Sequence, residues 1–244
     1  RDVAPSRGLG DVYKRQDFSY AMIHDMKTPI SSAIMCTSRL HSGKLDDKPE
    51  IKNHYFTIVE NELEHLLALS NKVLTLAKLE QHKLEMNKKE VPLSPMIEDL
   101  IEKFTIKTEK TIHFTTDLKT EKVYADEEFL KEAISNLIDN AIKYSKESVK
   151  INISSSSDAN HDIINIYDNG IGIPQKDQKK IFEKFERASA IKQTRKGGPS
   201  GFGLGLNYVY QVMEAHEGRV YINSIEGEFS EFSLLIPKII ESYD

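Results

Sequence analysis

The stretch NLIDNAIKY (residues 136–144) decides how the second half of this chain folds. In a helix that begins with Asp126 as its N-cap, Asn136, Asn140 and Lys143 are spaced four and three residues apart and share one face. The rest of the circumference is apolar: Leu137, Ile138, Ala141 and Ile142. Amide oxygens can ligate Mg²⁺ and an ammonium group can meet phosphate, so the polar face suits a metal–phosphate complex. A helix face that contacts only solvent is the alternative.

Two glycine-rich segments follow this helix, and seven of the twelve glycines lie between residues 170 and 205. DNGIGIP (168–174) comes directly after a predicted strand, where the Asp168 carboxylate can accept a hydrogen bond from an exocyclic amine. GFGLGL (201–206) opens a predicted helix, whose N-terminal amides attract phosphate. The spacing is not that of a dinucleotide-binding fingerprint, and no βαβ unit surrounds it. Two glycine-rich turns without a ligand are the alternative.

A helical pattern near the start of the chain carries a third candidate group, FSYAMIHDMKTPI (18–30). Apolar residues recur there at heptad spacing: Met22, Met26, Pro29, Ala33, Cys36 and Leu40. This register places His24 on the outer face beside Asp25, and Pro29 inside the helix predicts a local bend. An exposed imidazole next to a carboxylate can act as a nucleophile. A surface histidine without a role is the alternative.

A second helix continues this part of the chain with a wide apolar face. Its heptad seam comprises Phe56, Val59, Leu63, Leu66, Ser70, Val73, Ala77 and Leu84, and further leucines flank it. A hairpin of two helices cannot bury so wide a face, which predicts a homodimer that forms a four-helix bundle. Residues 1–16 show no periodicity and are interpreted as a non-native or disordered tail, so the hairpin covers 17–86.

Beyond a predicted hinge at 87–92, the hydrophobic pattern predicts a second domain of mixed helices and strands over 93–240. Helices are predicted at Ser94–Lys107, Asp126–Tyr144 and Gly203–Glu217. Strands are predicted at Thr111–Asp117, Lys122–Tyr124, Val149–Ser155, Asp162–Tyr167, Arg219–Ser224 and Glu228–Ile236. Residues 174–202 are polar and glycine-rich, which predicts a mobile lid.

Composition excludes several classes of protein. The 244 residues carry a net charge of −5 with 39% hydrophobic residues, which excludes disorder of the whole chain and argues against a broad basic surface for nucleic acid. One cysteine cannot form an intrachain disulfide. No apolar run approaches the ~18 residues of a transmembrane helix, so we expect a cytoplasmic chain.

The order of these groups resembles a sensor histidine kinase of a two-component system over about residues 17–237. HDMKTP (24–29) resembles the H box, and Asn136, Asn140, Lys143 and Tyr144 resemble the N box. Three further segments complete the set: Asp168-x-Gly170-x-Gly172 as the G1 box, IFEKFER (181–187) as the F box, and Gly201-x-Gly203-x-Gly205-Leu206 as the G2 box.

The resemblance implies an α+β fold class. A long antiparallel helical hairpin forms a dimeric four-helix bundle, and a Bergerat-type α/β sandwich with a mixed sheet and helices on one face follows it. It implies that Asp168 binds the adenine amine of ATP and that Asn140 holds Mg²⁺. The phosphates are assigned to Asn136, Lys143, Tyr144 and Arg187, and the remaining ATP-site residues are Gly170, Gly172, Gly201, Gly203, Gly205 and Leu206.

The resemblance also implies the reaction. His24 accepts the γ-phosphoryl group, Asp25 orients its ring, and the group passes to an aspartate of a response-regulator receiver domain. Thr28 is expected to serve phosphatase activity toward that regulator. The resemblance implies that the full-length protein lies in the bacterial inner membrane. This chain would be its cytoplasmic fragment, and only segments that precede the fragment would contact the membrane. Two departures from the family pattern are Asp25 in place of the commoner Glu and Lys184 in place of a frequent proline.

Two other functions remain open at this point. A gyrase- or chaperone-type ATPase would use a catalytic carboxylate on the N-box helix, for which Glu132 is the candidate. A degenerate kinase would act as a dimeric scaffold, against which the presence of His24, Asn140 and Asp168 argues.

Overall fold

The structure is a computed structural model that describes residues 23, 26–81, 85–107, 110–183 and 203–239. The chain divides into two compact units, with the boundary between Ala77 and Lys78. Of the predicted site residues, His24, Asp25, Arg187 and Gly201 lie outside the described residues, as do the tail 1–16 and positions 184–202 of the predicted lid.

The first unit is helical. Helix α1 covers residues 26–41, and helix α2 (Pro49–Glu80) follows after a connection in which Gly43 has a φ of +69°. The seam predicted on α1 is buried at Pro29, Ala33 and Cys36. No helix in the described part of the chain combines the length and the apolar character that a membrane span requires.

Within a single hairpin, the seam predicted on α2 is not the stripe that is buried. Phe56 and Leu63, which the heptad pattern placed in it, are exposed, whereas Leu69 and Leu76 are buried. The cause is that the apolar face of α2 is wide enough to hold two parallel stripes, and the sequence alone does not say which of them faces the hairpin.

The second unit contains three helices and seven strands. The helices are α3 (Leu93–Lys107), α4 (Glu127–Lys143) and α5 (Gly205–Ala215). The strands are β1 (Lys89–Pro92), β2 (Thr111–Leu118), β3 (Lys122–Ala125), β4 (Ser148–Ser157), β5 (His161–Asp168), β6 (Arg219–Ile225) and β7 (Phe229–Pro237). Apart from β1, the bounds lie within two residues of those predicted.

The main sheet has the strand order β2-β4-β5-β7-β6. Strands β2 and β4 are parallel and the other neighbours are antiparallel, so the predicted mixed sheet is confirmed. Alternate residues of β4, β5 and β7 are buried, which is the period-two pattern of a sheet with one face against a core. The buried side of α4 supplies Leu130, Ile134, Leu137 and Ile138 to that core.

The expected hinge at 87–92 differs from what the structure contains. Residues Lys89–Pro92 form β1, which pairs antiparallel with β3, and Val91 is almost completely buried in the pair. The proline and the charged residues of this segment resemble a linker, but Pro92 ends the strand, where a missing amide donor is tolerated. The main-chain N–H of Leu93 then donates to the carbonyl of Glu121 at 2.9 Å.

Candidate active site

Strand β5 delivers Asp168 to the end of the central sheet, where the carboxyl group is buried and only 6% of the residue is exposed. Burial raises the pKa of Asp168 from 3.8 to about 6, although the N–H of Gly170, which donates to Oδ1 at 2.8 Å, opposes the shift. The carboxylate is therefore short of hydrogen-bond donors for its charge. A ligand that brings an N–H group would supply one.

The turn after β5 is held in place by close main-chain contacts. A Cβ at Gly170 would lie 2.6 Å from Oδ1 of Asp168 and 2.9 Å from the carbonyl oxygen of Tyr144, so only glycine fits. Gly172 has a φ of +64°, and a Cβ there would overlap the carbonyl of Ile225. These contacts fix the main chain on both sides of the position where a ligand would meet Asp168.

The C-terminal end of α4 also contacts this turn. The N–H of Ile171 donates to the carbonyl of Tyr144 at 3.0 Å. Lys110 supports the same end of the helix, because its Nζ donates to the carbonyl of Ile142 at 2.8 Å. The described contact of Tyr144 with the turn is thus made by its main chain.

The predicted polar face of α4 is half-buried at Asn136, Asn140 and Lys143. Nδ2 of Asn136 donates to the carbonyl of Glu132 at 2.7 Å. Nζ of Lys143 lies 2.6 Å from Oδ2 of Asp139, one turn earlier. The sequence did not single out Asp139, although its i, i+4 spacing from Lys143 was a signal that could have found it.

Helix α5 brings the second glycine-rich segment to this face. A Cβ at Gly205 would lie 3.4 Å from Oδ1 of Asn136 and 3.8 Å from Nδ2 of Asn140, so the first turn of α5 lies directly beside both amides. Leu204 is the N-cap of α5, and no described side chain caps the helix. The first amides of α5 and the amide oxygens of α4 therefore border one space that suits an anion together with a cation.

Glu132, the candidate catalytic carboxylate of an ATPase, is already bonded in the structure. The hydroxyl of Tyr208 donates to Oε2 of Glu132 at 2.5 Å, and burial together with Glu132 raises the pKa of Tyr208. This bond connects α5 with α4 and gives Glu132 a positioning role. Sequence reasoning missed Tyr208 because the two residues are far apart along the chain.

Ten of the predicted site residues lie in the second unit, near the C-terminal half of α4, the turn after β5 and the N-terminus of α5. They are Asn136, Asn140, Lys143, Tyr144, Asp168, Gly170, Gly172, Gly203, Gly205 and Leu206. Thr28 lies in the first unit, exposed on α1. Among the described residues, no group of three or more His, Cys, Asp or Glu side chains could hold a metal ion.

Comparison with known proteins gives two family matches. Residues 14–82 match the His Kinase A (phospho-acceptor) domain, and residues 125–240 match the family of histidine kinase-, DNA gyrase B- and HSP90-like ATPases. The chain is 28% identical over 235 residues to the sensor histidine kinase WalK of Bacillus subtilis, covering 95% of this chain and 38% of WalK. It is 30% identical over 228 residues to the sensor protein RprX of Bacteroides fragilis, covering 91% and 43%.

Solved structures show the same fold. The histidine kinase AdeS of Acinetobacter baumannii superposes with a TM-score of 0.68 at 26% identity, over 88% of this chain and 98% of AdeS. The histidine kinase ThkA, solved in complex with the response regulator protein TrrA, gives a TM-score of 0.64 at 24% identity, over 99% of this chain and 69% of that one. The chain therefore spans about two fifths of the length of these two curated relatives, and most of the length of the two solved structures.

Proposed function

This chain belongs to the sensor histidine kinases of two-component systems, and we propose that it transfers the γ-phosphoryl group of ATP to His24 and then to an aspartate of a response-regulator receiver domain. The observation that carries the proposal is the convergence on α4 of three groups: the buried Asp168 turn, the amides of Asn136 and Asn140, and the first turn of α5.

The nucleotide would bind in the second unit. The exocyclic amine of adenine is the N–H donor that the buried Asp168 carboxylate needs, and a bond of this kind favours its charged form. The phosphates would meet the first amides of α5 and the ammonium group of Lys143. Arg187, outside the described residues, would also address the phosphates.

Magnesium fits the donor set on α4, because two amide side chains stand side by side against Gly205 and neutral oxygen donors suit this ion. Asn140 would hold the ion, whose contribution is to offset negative charge on the phosphates. The chain's own contribution is to orient the phosphates between α4 and α5, since phosphoryl transfer depends mostly on positioning and charge neutralisation.

The reaction itself would take place at His24, in the first unit. An unprotonated ring nitrogen of His24 attacks the γ-phosphorus, the bond from that phosphorus to the bridging oxygen breaks, and ADP leaves with the electron pair. Asp25 holds the N–H of the other ring nitrogen, which fixes the tautomer and stabilises the ring as positive charge develops. His24 then passes the phosphoryl group to a carboxylate of the receiver domain. Thr28, which is exposed on α1 and lies four residues after His24 in the sequence, would serve the phosphatase activity: water attacks the phosphorus of the phosphoaspartate on the regulator, and the aspartate carboxylate and inorganic phosphate are released.

A homodimer is the second part of the proposal, and exposed apolar residues in the first unit support it. Ile23, Ile30 and Ile34 follow one another at spacings of seven and four, and a matching stripe on α2 comprises Phe56, Leu63, Leu67 and Leu74. These side chains are 42% to 63% exposed. Heptad stripes left open on both helices are typical of a bundle completed by a second hairpin.

The partner and the cellular location rest on the family. ThkA was solved with a response regulator, and we propose a receiver domain as the partner of this chain too. We also propose that the full-length protein is anchored in a membrane, with this part on the cytoplasmic side.

Phosphotransfer profiling tests the proposal. The protein is incubated with γ-labelled ATP and a panel of isolated receiver domains, and labelled bands are followed over time. Label that appears first on this chain and then rapidly on one receiver domain supports the proposal. Hydrolysis of ATP with no label on any protein would overturn it.

A further inference from the structure

Asn207 is a buried polar residue to which neither the motifs nor the proposed reaction assigns a role. It lies in the first turn of α5 and is 5% exposed. Its Nδ2 donates to the carbonyl oxygen of Phe182 at 2.9 Å. Its Oδ1 is buried and has no hydrogen-bond partner among the residues that the structure describes.

This arrangement is not what stability alone would favour. A buried amide with one unpaired oxygen loses free energy by desolvation and recovers only part of it through its single bond. An apolar residue of similar size would avoid the unpaired oxygen. The hydrogen bond from Asn207 to the Phe182 carbonyl is therefore the interaction that distinguishes asparagine from an apolar residue at this position.

Phe182 is fixed to the same helix by its ring as well. The ring centroid lies 6.2 Å from that of Tyr210, one turn further along α5, and 6.3 Å from that of Phe232 in an edge-on contact. The main chain at Phe182 and the first turn of α5 are thus joined by one hydrogen bond and a ring cluster. The hydrogen bond is the contact nearer to the N-terminus of α5.

The opposite side of the same turn contacts the N-box amides. Gly205 precedes Asn207 by two residues, and its Cβ position lies 3.4 Å from Oδ1 of Asn136. Residues two apart on a helix point in nearly opposite directions, so Asn207 holds the back of the turn whose front borders the proposed phosphate site. A shift of this turn would change the spacing between the α5 amides and Asn136.

We propose that Asn207 is a positioning residue for the nucleotide: its side-chain bond to the Phe182 carbonyl holds the first turn of α5 at the distance from Asn136 and Asn140 that the phosphates require. The inference rests on the proposed ATP site. Asn207 touches neither the phosphates nor the reacting atoms, so it acts on nucleotide affinity through α5.

Asn207→Leu and Asn207→Ala test the inference, with ADP titration, ATP-dependent autophosphorylation and thermal unfolding measured on each. Both variants are expected to weaken ADP binding and raise the KM for ATP about tenfold, because small displacements of binding groups have effects of this order or larger. The rate at saturating ATP is expected to fall by a smaller factor than the affinity for ADP, since the variants leave His24 untouched. The midpoint of unfolding without nucleotide changes little in Asn207→Leu, because removal of the unpaired oxygen offsets loss of the bond to the Phe182 carbonyl.

Ser155→Ala is the matched control. Ser155 is also buried, and its hydroxyl bonds the main chain of Thr120, but it lies on β4 away from the site. This variant is expected to bind ADP like the parent.

ADP affinity within about twofold of the parent in both folded variants would overturn the inference, and so would failure of both to fold, which would show a structural role. A folded parent protein that binds no ADP would contradict the proposed function itself, and the inference with it.

Discussion

The buried imidazole of His216 accepts a hydrogen bond at Nε2 from the main-chain N–H of Asp126, at 2.9 Å. Its other nitrogen, Nδ1, lies 2.7 Å from the carbonyl oxygen of Val212 and must donate to it. A ring that accepts at one nitrogen and donates at the other is neutral. The hydrogen bond between Asp126 and His216 joins the C-terminal end of α5 to the N-cap of α4, the helix that carries Asn136 and Asn140.

The first prediction is that this bond makes stability depend on pH. Burial lowers the pKa of His216 below 6.5, and the nearby ammonium group of Lys88 lowers it further, while Asp126 and the Val212 carbonyl act in the opposite direction. The unfolded state thus binds more protons below about pH 6.5, so His216 contributes stability above that pH and loses it as the pH falls.

Urea unfolding at about pH 5.5 and pH 7.5 measures the effect on the parent and on His216→Gln. Glutamine can still accept the Asp126 N–H through its amide oxygen but does not titrate. We expect the drop in stability on acidification to be smaller in the variant than in the parent. An equal drop in both would contradict the assignment of the neutral ring.

The second prediction concerns Asp168, whose pKa is raised to about 6 by burial. A raised pKa contributes stability that is present below the unfolded value and is lost as the pH rises through the folded value, by about 3 kcal/mol for a shift of about two units. Asp168→Asn remains neutral, so without nucleotide it should be more stable than the parent at neutral pH, by about 1–3 kcal/mol.

The same variant should bind ADP about 10- to 100-fold more weakly, because the adenine amine loses a charged acceptor. Asp162→Asn is the matched control, since Asp162 is buried on the same face of β5 at its other end. Calorimetric titration with ADP and urea unfolding on the three proteins decide the matter. A lower free energy of unfolding in Asp168→Asn, together with unchanged ADP affinity, would contradict the assignment of Asp168 to the nucleotide site.

The third prediction is that the exposed stripe on α2 forms a dimer interface. The parent should sediment as a dimer at tens of micromolar, and the double variant Leu63→Glu, Leu67→Glu as a monomer, because charges placed in a bundle core are desolvated without partners. Ile106→Glu changes an apolar residue on α3 that is 78% exposed and should remain dimeric. Sedimentation of the parent as a monomer would be the contrary result.

The fourth prediction separates two activities on α1. Thr28→Ala should keep most autophosphorylation but lose phosphatase activity toward the cognate regulator, since Thr28 is exposed on α1 and lies four residues after His24 in the sequence. Thr37→Ala is the matched control, because the Thr37 hydroxyl donates to carbonyls of its own helix, those of Ala33 and Ile34. Equal loss of both activities in Thr28→Ala would favour a structural role at the bend before Pro29.

The parts of the site that the sequence predicted are local. Asn136, Asn140 and Lys143 share a face because of helix geometry, and the role proposed for Asp168 follows from its position at the end of a strand. Both inferences need only the residues within a few turns of each other. The bounds of α4 and β5 therefore agree closely with those predicted.

The parts that the sequence missed depend on contacts between distant residues. Tyr208 and Glu132 meet only because α5 packs on α4, and Asn207 reaches Phe182 across residues that no helical or strand period connects. Strand β1 was missed for the same reason, since four residues ending in proline form a strand only against β3. On α2, periodicity found an apolar face but not which stripe of it is buried.

The central claim is that His24 carries the phosphoryl group, and chemical stability of the labelled protein tests it most directly. The parent, His24→Ala and His41→Ala are incubated with γ-labelled ATP, and the label is measured after acid and after alkali. His41 is an exposed histidine at the end of α1 and serves as the matched control. We predict label that is lost in acid and kept in alkali in the parent and in His41→Ala. His24→Ala should carry none while it still binds ADP, because the residues of the proposed nucleotide site lie in the other unit. Label on His24→Ala equal to that on the parent, or label that survives acid, would contradict the account.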